Sequence, residues 1–416
     1  MSLSKRLRQT LAKIPWLRKR LGRLTHPPRK LAFHDGAYRN LAAGGGRRPG
    51  CNLIGFAHGE FGVGQHLRGV ARSCEAAGLP FSVRNFTRTL HRQEDHSLDH
   101  LLDPDAPHRA NLFCLNADGV LDLYRTDRSL FEGRYNVGYG FWELSDFPEP
   151  WLPVMNVLDE LWAPSRYLQQ VLSEKTAVPV IHMPLAVDFE VPGKYRRRDF
   201  GLAPDQLVFL FTFDFSSRIR RKNPEGAVAA FQRAFPRQRQ DVTLVLKTKT
   251  VDAVAEQVAD NRSLAERVRG DPRIQLIDEI WPREKVLDLI HCADVYVSLH
   301  RAEGFGLGMA EAMRMGKPVI ATDYSGNTDF TLPDTACLVG FSLVPVKPGE
   351  YHGLEGDSLW AEPDVEEAAE HMQYLAADRA AAAALGERGR QLIADLHGAR
   401  AVGERYRRRL ARIGLL

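Results

Sequence analysis

The sequence predicts an α/β fold built from two parallel-sheet domains, and three observations carry that prediction. The chain has 416 residues, too many for one ordinary domain and a natural length for two. Residues 294–330 read as a strand–loop–helix–strand unit, the building block of a parallel sheet. Residues 51–83 repeat the same logic near the other end of the chain. A basic amphipathic stretch precedes both.

The later unit is the more informative. Val295–Leu299 is an apolar, β-branched run, as a buried strand requires. A turn with Gly304, Gly306 and Gly308 follows. A helix then carries Met309, Ala310, Ala312 and Met313, stops at Gly316, and has Pro318 just beyond. Pro318–Thr322 is the next strand. Such a loop lets backbone amides approach an anion, with the helix dipole behind them. Glu303 and Glu311 flank it, and a carboxylate is a bidentate acceptor for paired sugar hydroxyls. A diphosphate on the loop amides Gly304, Phe305, Gly306, Leu307 and Gly308, with a hydroxyl-reading Glu on either side, is the chemistry of a nucleotide sugar. A plain glycine-rich connection with two solvated glutamates is the competing account.

Composition narrows the class. Hydrophobic content of 44% and charged content of 26% are ordinary for a globular protein. A net charge of +4 is too small to mark the whole chain as a nucleic-acid binder. Five scattered cysteines form no C-x-x-C pair and suit a reducing cytosol. There is no apolar run of the ~18 residues a membrane span needs, and no signal-peptide pattern. Residues 1–30 hold ten Lys or Arg and no acid, with leucines at helical spacing and Trp16 beside them. That pattern fits a helix on an anionic membrane surface, or one docked on its own protein. Gly44–Gly46 and Arg47-Arg48-Pro49 then mark a linker up to residue 50.

Residues 51–190 form the expected first domain. Asn52–Phe56 is its opening strand, His58–Gln65 a glycine-rich loop, and His66 to Ala77 the helix behind it. Asn111–Asn116 and Tyr135–Glu143 are further strands, the second with an aromatic, acidic exit at Trp142 and Glu143. Carbohydrate stacking and buried packing are both open for Trp142. Residues 189–199 are the interdomain linker. The second domain covers 200–390 and opens with the continuous apolar strand Leu207–Phe213, a strand buried on both faces. Its exit carries Arg218, Arg220, Arg221 and Lys222 before Pro224 starts a helix. Clustered cations at a strand exit suit a diphosphate. Residues 341–363 read as an irregular excursion, and 391–416 as a closing helix.

The stretch from Glu303 through Glu311 to Thr322 resembles the E-x7-E motif of the retaining family 4 glycosyltransferases. The resemblance covers residues 200–375 well and the first half more weakly. It implies a GT-B fold, two Rossmann-like domains facing a cleft, with a last helix that often crosses back to the first domain. It also implies roles. Lys222 matches the lysine on the donor diphosphate; the usual upstream Arg is absent, and Arg218, Arg220 or Arg221 stands in, with Arg221 taken because it neighbours Lys222. Glu311 would bind the ribose and Glu303 the donor sugar. The turn at Ile280 would hold the nucleobase. Gly62 and Gly64 would approach the donor, with Gln65 or Arg68 close by. Family members often place a His where Asn116 or Asp118 stands here, and Asn116 takes that contact.

The expectation is therefore a retaining hexosyltransferase taking a nucleotide-diphosphate sugar. Family usage points first to a GDP-mannose-type donor, with UDP-sugars close behind. No metal or other cofactor is expected, since Asp103-Pro104-Asp105 lacks the strand-exit setting of a D-x-D site. The basic N-terminus favours a glycan or lipid-linked acceptor of bacterial cell-envelope or exopolysaccharide synthesis, met in the cytoplasm or peripherally on the inner face of the membrane. The alternatives are a non-catalytic sugar-nucleotide or glycan-binding subunit of a glycosylation complex, and a sugar-nucleotide epimerase.

Overall fold

The computed structural model describes residues 46–416, apart from 90–91, 215–217, 251–254 and 352–357. The amphipathic stretch 1–30 lies outside the described residues.

Two six-stranded sheets, parallel throughout, form the frame. The first contains β1 (Arg48–Gly55), β2 (Phe81–Asn85), β3 (His108–Cys114), β4 (Tyr135–Gly138), β5 (Glu160–Ala163) and β6 (Val180–His182), in the order β2-β1-β3-β4-β5-β6. The second contains β7 (Leu207–Thr212), β8 (Val242–Thr248), β9 (Ile274–Asp278), β10 (Val295–Ser298), β11 (Val319–Thr322) and β12 (Cys337–Val339). Its order is β9-β8-β7-β10-β11-β12, the doubly wound arrangement of a Rossmann domain. The order reverses between β7 and β10 there, and between β1 and β3 in the first sheet. Crevices open at such switch points, beyond the carboxyl ends of the strands, and that is where the site lies.

Helices on both faces explain the composition of the strands. Every residue of β8 is buried, as is β7 up to its last residue, so an unbroken Val/Leu/Phe run is stable there where an alternating one would not be. Against the second sheet pack Phe231 and Phe235, the first on helix Pro224–Ala234 and the second at its C-cap. Asn223 caps that helix by accepting from Gly226 N, in the left-handed conformation an Asn tolerates.

Three expectations need correction. The first domain starts earlier than Cys51, because β1 begins at Arg48 within the supposed linker and Gly50 N donates to Leu415 O at 3.0 Å. Its helix starts at Gly62, so the second half of the glycine-rich loop is helical. The excursion 341–363 holds regular structure at its two ends: β13 (Phe341–Pro345) and β14 (Leu359–Pro363) pair as an antiparallel hairpin. Glu362 anchors it by a two-oxygen pair with Arg301, and Ala361 N donates to Arg301 O.

Between the domains, the linker is fixed by one buried carboxylate. Asp288 accepts from the amides of Gly193, Lys194 and Tyr195 at 2.7, 2.8 and 2.9 Å. The final helix, Ala399–Arg412, packs on Gly62–Ala76 of the first domain, where Gly403 meets the backbone of Ser73. Arg409 pairs with Glu160, a fully buried carboxylate that also accepts from Trp162 Nε1.

Candidate active site

A cavity of about 620 Å³ opens between the two sheets. Its second-domain wall is the loop after β10 and the exit of β7. Glu303 sits at the centre. Its carboxylate receives Lys222 Nζ at 2.5 Å and lies 3.1 Å from Arg221 Nη1. Burial alone would raise the Glu303 pKa; Lys222 and Arg221 outweigh it and hold the group at about 2. Burial pulls Lys222 below the usual lysine range, against the opposing pull of Glu303. Burial also works against the Arg221 charge, but Glu143 and Glu303 hold that guanidinium firmly protonated.

The loop residues Gly304, Phe305, Gly306, Leu307 and Gly308 all line the cavity, and helix Leu307–Arg314 starts directly from it. Gly306 has φ +98°, a left-handed conformation that turns the chain into the helix and that a side chain would strain. Tyr296 and Thr212 close the floor through a 2.7 Å hydroxyl pair. The loop is also where the domains touch. Ser165 Oγ, from the first domain, donates to Gly304 O at 2.7 Å, and Arg166 N donates to Asp329.

The first-domain wall comes from the exits of β1, β3 and β4. Gly62 and Asn116 line it. Asn116 Oδ1 accepts from the backbone N–H of Phe141, so its carbonyl end ties the exit of β3 to the chain after β4. Gly64 is not on the wall. It faces Gly59, whose carbonyl would lie 2.1 Å from any Cβ at that position. Arg68, 6% exposed, clamps the same turn by donating to Ala57 O and Gly59 O.

Two more expected residues stand apart from the cavity. Glu311 is buried on the helix and receives Arg283 Nη2 at its carboxylate. Ile280 is 60% exposed beyond β9, next to Trp281, whose ring lies under Lys285 Nζ (3.9 Å) and Lys247 Nζ (4.6 Å).

Three lining residues went unsuspected. His66 lies one residue past the glycine-rich loop; burial, only partly offset by its bond to Tyr139 O, lowers its pKa to about 4 and keeps it neutral. Its place after Gly64-Gln65 was the available signal. Tyr296 hides in a strand whose apolar run reads as core. Tyr351, from the β13–β14 hairpin, donates to Glu143 Oε2 at 2.5 Å, and the sequence gives no sign that it crosses the cleft. Among the described residues His58, His96 and Asp99 form the one group with metal-ligand spacing. Asn85 there accepts from Ala57 N at its Oδ1 and turns its amide nitrogen to His58 Nδ1. That makes His58 Nε2 the hydrogen-bearing nitrogen that donates to Asp99, so the atom facing the cluster has no lone pair to give.

Residues 210–378 match the family model described as "Glycosyl transferases group 1". By sequence, no curated protein is a significant match. Among solved structures the chain resembles Anabaena HepE in complex with UDP-glucose, with a TM-score of 0.64 at 14% identity, over 87% of this chain and 100% of that one. It resembles sucrose-phosphate synthase from Thermosynechococcus elongatus equally well, with a TM-score of 0.64 at 19% identity, over 88% and 99% of the two chains. The N-terminal domain of Candida albicans trehalose-6-phosphate phosphatase follows, with a TM-score of 0.57 at 10% identity, over 88% and 98%. The fold is GT-B. The match of residues 210–378 to a glycosyl transferase model and the GT-B neighbours agree on the second domain and on the two-domain frame.

Proposed function

We propose that the protein is a retaining, metal-independent glycosyltransferase that moves a hexose from a nucleotide-diphosphate sugar to a glycan or lipid-linked acceptor, in cell-envelope or exopolysaccharide synthesis. The observation that carries the reading is the Lys222–Glu303 pair beside the Gly304–Gly308 loop, at the switch point of the second sheet. A departing diphosphate develops negative charge, and a fixed ammonium with converging amides stabilises it where it forms. Glu303, kept ionised, offers two oxygens to the hydroxyls of the sugar and so orients its anomeric carbon. No side chain is assigned as nucleophile. In this reading the leaving phosphate assists the acceptor on the same face, which preserves the anomeric configuration.

Glu311 is assigned to the ribose, exchanging its bond to Arg283 for hydroxyls when the donor arrives. The exposed turn at Ile280 is assigned to the base. HepE's complex with UDP-glucose makes UDP-sugars the first donors to try, ahead of GDP-mannose. The decisive experiment is a panel of nucleotide sugars with and without glycan acceptors, with the product anomer read by NMR and a parallel series in EDTA. Expected are turnover with one donor class, retention, no loss in EDTA, and complete loss in Glu303→Ala. Tight nucleotide binding without turnover on any donor would instead identify a binding subunit, and epimerised donor in the acceptor-free samples would identify an epimerase.

A further inference from the structure

The contacts of Arg221 are those of a bridge. Its side chain is 3% exposed, and Nη1 donates to Ala302 O at 2.8 Å while lying 3.1 Å from Glu303 Oε2. Nη2 lies 3.5 Å from Glu143 Oε1. Glu303 belongs to the second domain and Glu143 to the first. The other oxygen of Glu143 accepts from Tyr351 Oη at 2.5 Å, and Tyr351 comes from the hairpin of the second domain. The hairpin holds the same first-domain segment again, Leu359 N donating to Ser145 Oγ at 3.0 Å. One first-domain carboxylate is thus held from two separate elements of the second domain. Lys222, in contrast, is 17% exposed at the cavity with its ammonium on Glu303.

Resting on the transferase reading above, we propose that Arg221 is a positioning residue that ties Glu303 to Glu143 across the cleft, with Tyr351 fixing Glu143, and that Lys222 and the loop amides meet the diphosphate without it. The charges make sense of this division. Glu143, Arg221, Glu303 and Lys222 alternate in sign along the chain of contacts and sum to zero. A diphosphate entering the cavity attracts the ammonium of Lys222 away from Glu303. A buried carboxylate that loses its cation takes up a proton or turns towards water. Arg221 also lines the cavity, but it is 3% exposed and tethered to Ala302 O, so it stays and keeps Glu303 ionised and oriented towards the sugar. The hairpin then has a role too: the bridge is complete only when both domains and Tyr351 are in place, so the sugar-reading carboxylate is in register only in the closed site.

The test separates nucleotide affinity from turnover, using the full chain. UDP and GDP binding are measured by calorimetry, and kcat with the active donor, for wild type, Lys222→Gln, Arg221→Gln, Glu143→Gln and Tyr351→Phe. Lys222→Gln is expected to weaken the nucleoside diphosphate about tenfold or more, as loss of a charge-assisted contact does. Arg221→Gln and Glu143→Gln should keep that affinity within about threefold and lose kcat by at least about tenfold, the signature of a contact that matters only with the sugar in place. The Arg221→Gln, Glu143→Gln double variant should cost no more than Arg221→Gln alone, because both cut the same bridge. The proposal is overturned if Arg221→Gln weakens the nucleotide as much as Lys222→Gln, or if Glu143→Gln leaves kcat unchanged. Should Arg221→Gln fail to fold, Glu143→Gln and Tyr351→Phe decide alone: lowered kcat at constant nucleotide affinity supports the bridge, and unchanged kcat in both overturns it. Failure of wild type to bind either nucleotide would instead sink the transferase reading, and this assignment with it.

Discussion

Glu303 and the buried histidines all titrate below their counterparts in the free chain, and each leaves a separate mark on stability. The Glu303 pKa is held at about 2, against 4.5 unperturbed. A depressed carboxylate stabilises the fold above its unfolded pKa, and that contribution is lost as pH falls from about 4.5 towards 2, by roughly 3 kcal/mol. His66 and His397 are both lowered to about 4, burial being the main cause. The unfolded chain protonates them below pH 6.5 while the folded chain does not, so stability falls between pH 6.5 and 4, by roughly 3 kcal/mol per histidine. Two windows of decline are therefore expected in the melting temperature against pH. A His66→Gln, His397→Gln double variant should flatten the upper window, and Glu303→Gln the lower, relative to their own neutral-pH values. Calorimetric scans from pH 8 to pH 2.5 check both, and a single unchanged slope in either variant refutes the corresponding assignment. The partners explain what was legible at this scale. Glu303 and Lys222 could be found because each stands in a local pattern, a glycine loop or a basic strand exit. Glu143 could be seen as a polar rim residue, but its pairing with Arg221 joins positions 78 apart in sequence, a contact that no local pattern encodes.

Elements were legible in proportion to how completely they are buried. β7, β10 and β11 fall within a residue of where the apolar runs Leu207–Phe213, Val295–Leu299 and Pro318–Thr322 place them. Each packs into a sheet or against one, so its whole length carries a hydrophobic signature. The β13–β14 hairpin carries no such signature. β13 is exposed along almost all of its length, with Leu343 52% accessible, and Pro348 and Gly349 between the strands look like loop. Its fold is set by Arg301, Glu362 and the first-domain surface, which are tertiary partners. The linker is similar. Read from composition, residues 189–199 are a free connection with a basic run. In the structure three of their amides end on Asp288, which is fully buried. Charge-assisted bonds to a buried carboxylate are the strong kind, and removing the acceptor leaves three amides to find water. Asp288→Ala is expected to destabilise by about 2–4 kcal/mol, and Asp288→Asn by less, since one amide oxygen can retain part of the set. Urea titration checks this; equal losses in both variants would show that only the charge matters, and no loss in Asp288→Ala that the linker holds itself.

At the scale of the whole molecule, the closing helix decides whether the two domains behave as one. The chain leaves the second domain at helix Arg379–His397, crosses over, and covers the first domain with helix Ala399–Arg412. Tyr406 stacks on Trp162 at 4.9 Å and Leu415 is fully buried beside β1. The GT-B likeness carried that crossing as an expectation; the residues that secure it had no sequence signal, because Arg409 sits in a run of three arginines that reads as a solvated face. Two of them differ sharply in setting. Arg408 is exposed, whereas Arg409 reaches Glu160, a carboxylate with no solvent access of its own. Glu160 keeps bonds from Trp162 Nε1 at 2.6 Å and Tyr135 Oη at 3.1 Å without Arg409, but it loses the cation that pairs with it. Breaking a buried pair from one side costs more than the pair is worth, here about 2–4 kcal/mol given that the arginine is partly hydrated. Arg409→Ala should therefore destabilise the first domain by that amount, while Arg408→Ala stays within about 0.5 kcal/mol, the range of a surface change. Glu160→Gln added to Arg409→Ala should recover part of the loss, because a neutral amide in that pocket needs no counter-charge. Trp162 fluorescence reports the first domain directly, next to the stacked Tyr406, and a calorimetric scan reports the whole. If the helix couples the domains, Arg409→Ala lowers one shared transition; if it only covers the first domain, the scan splits and the fluorescence follows the earlier step alone.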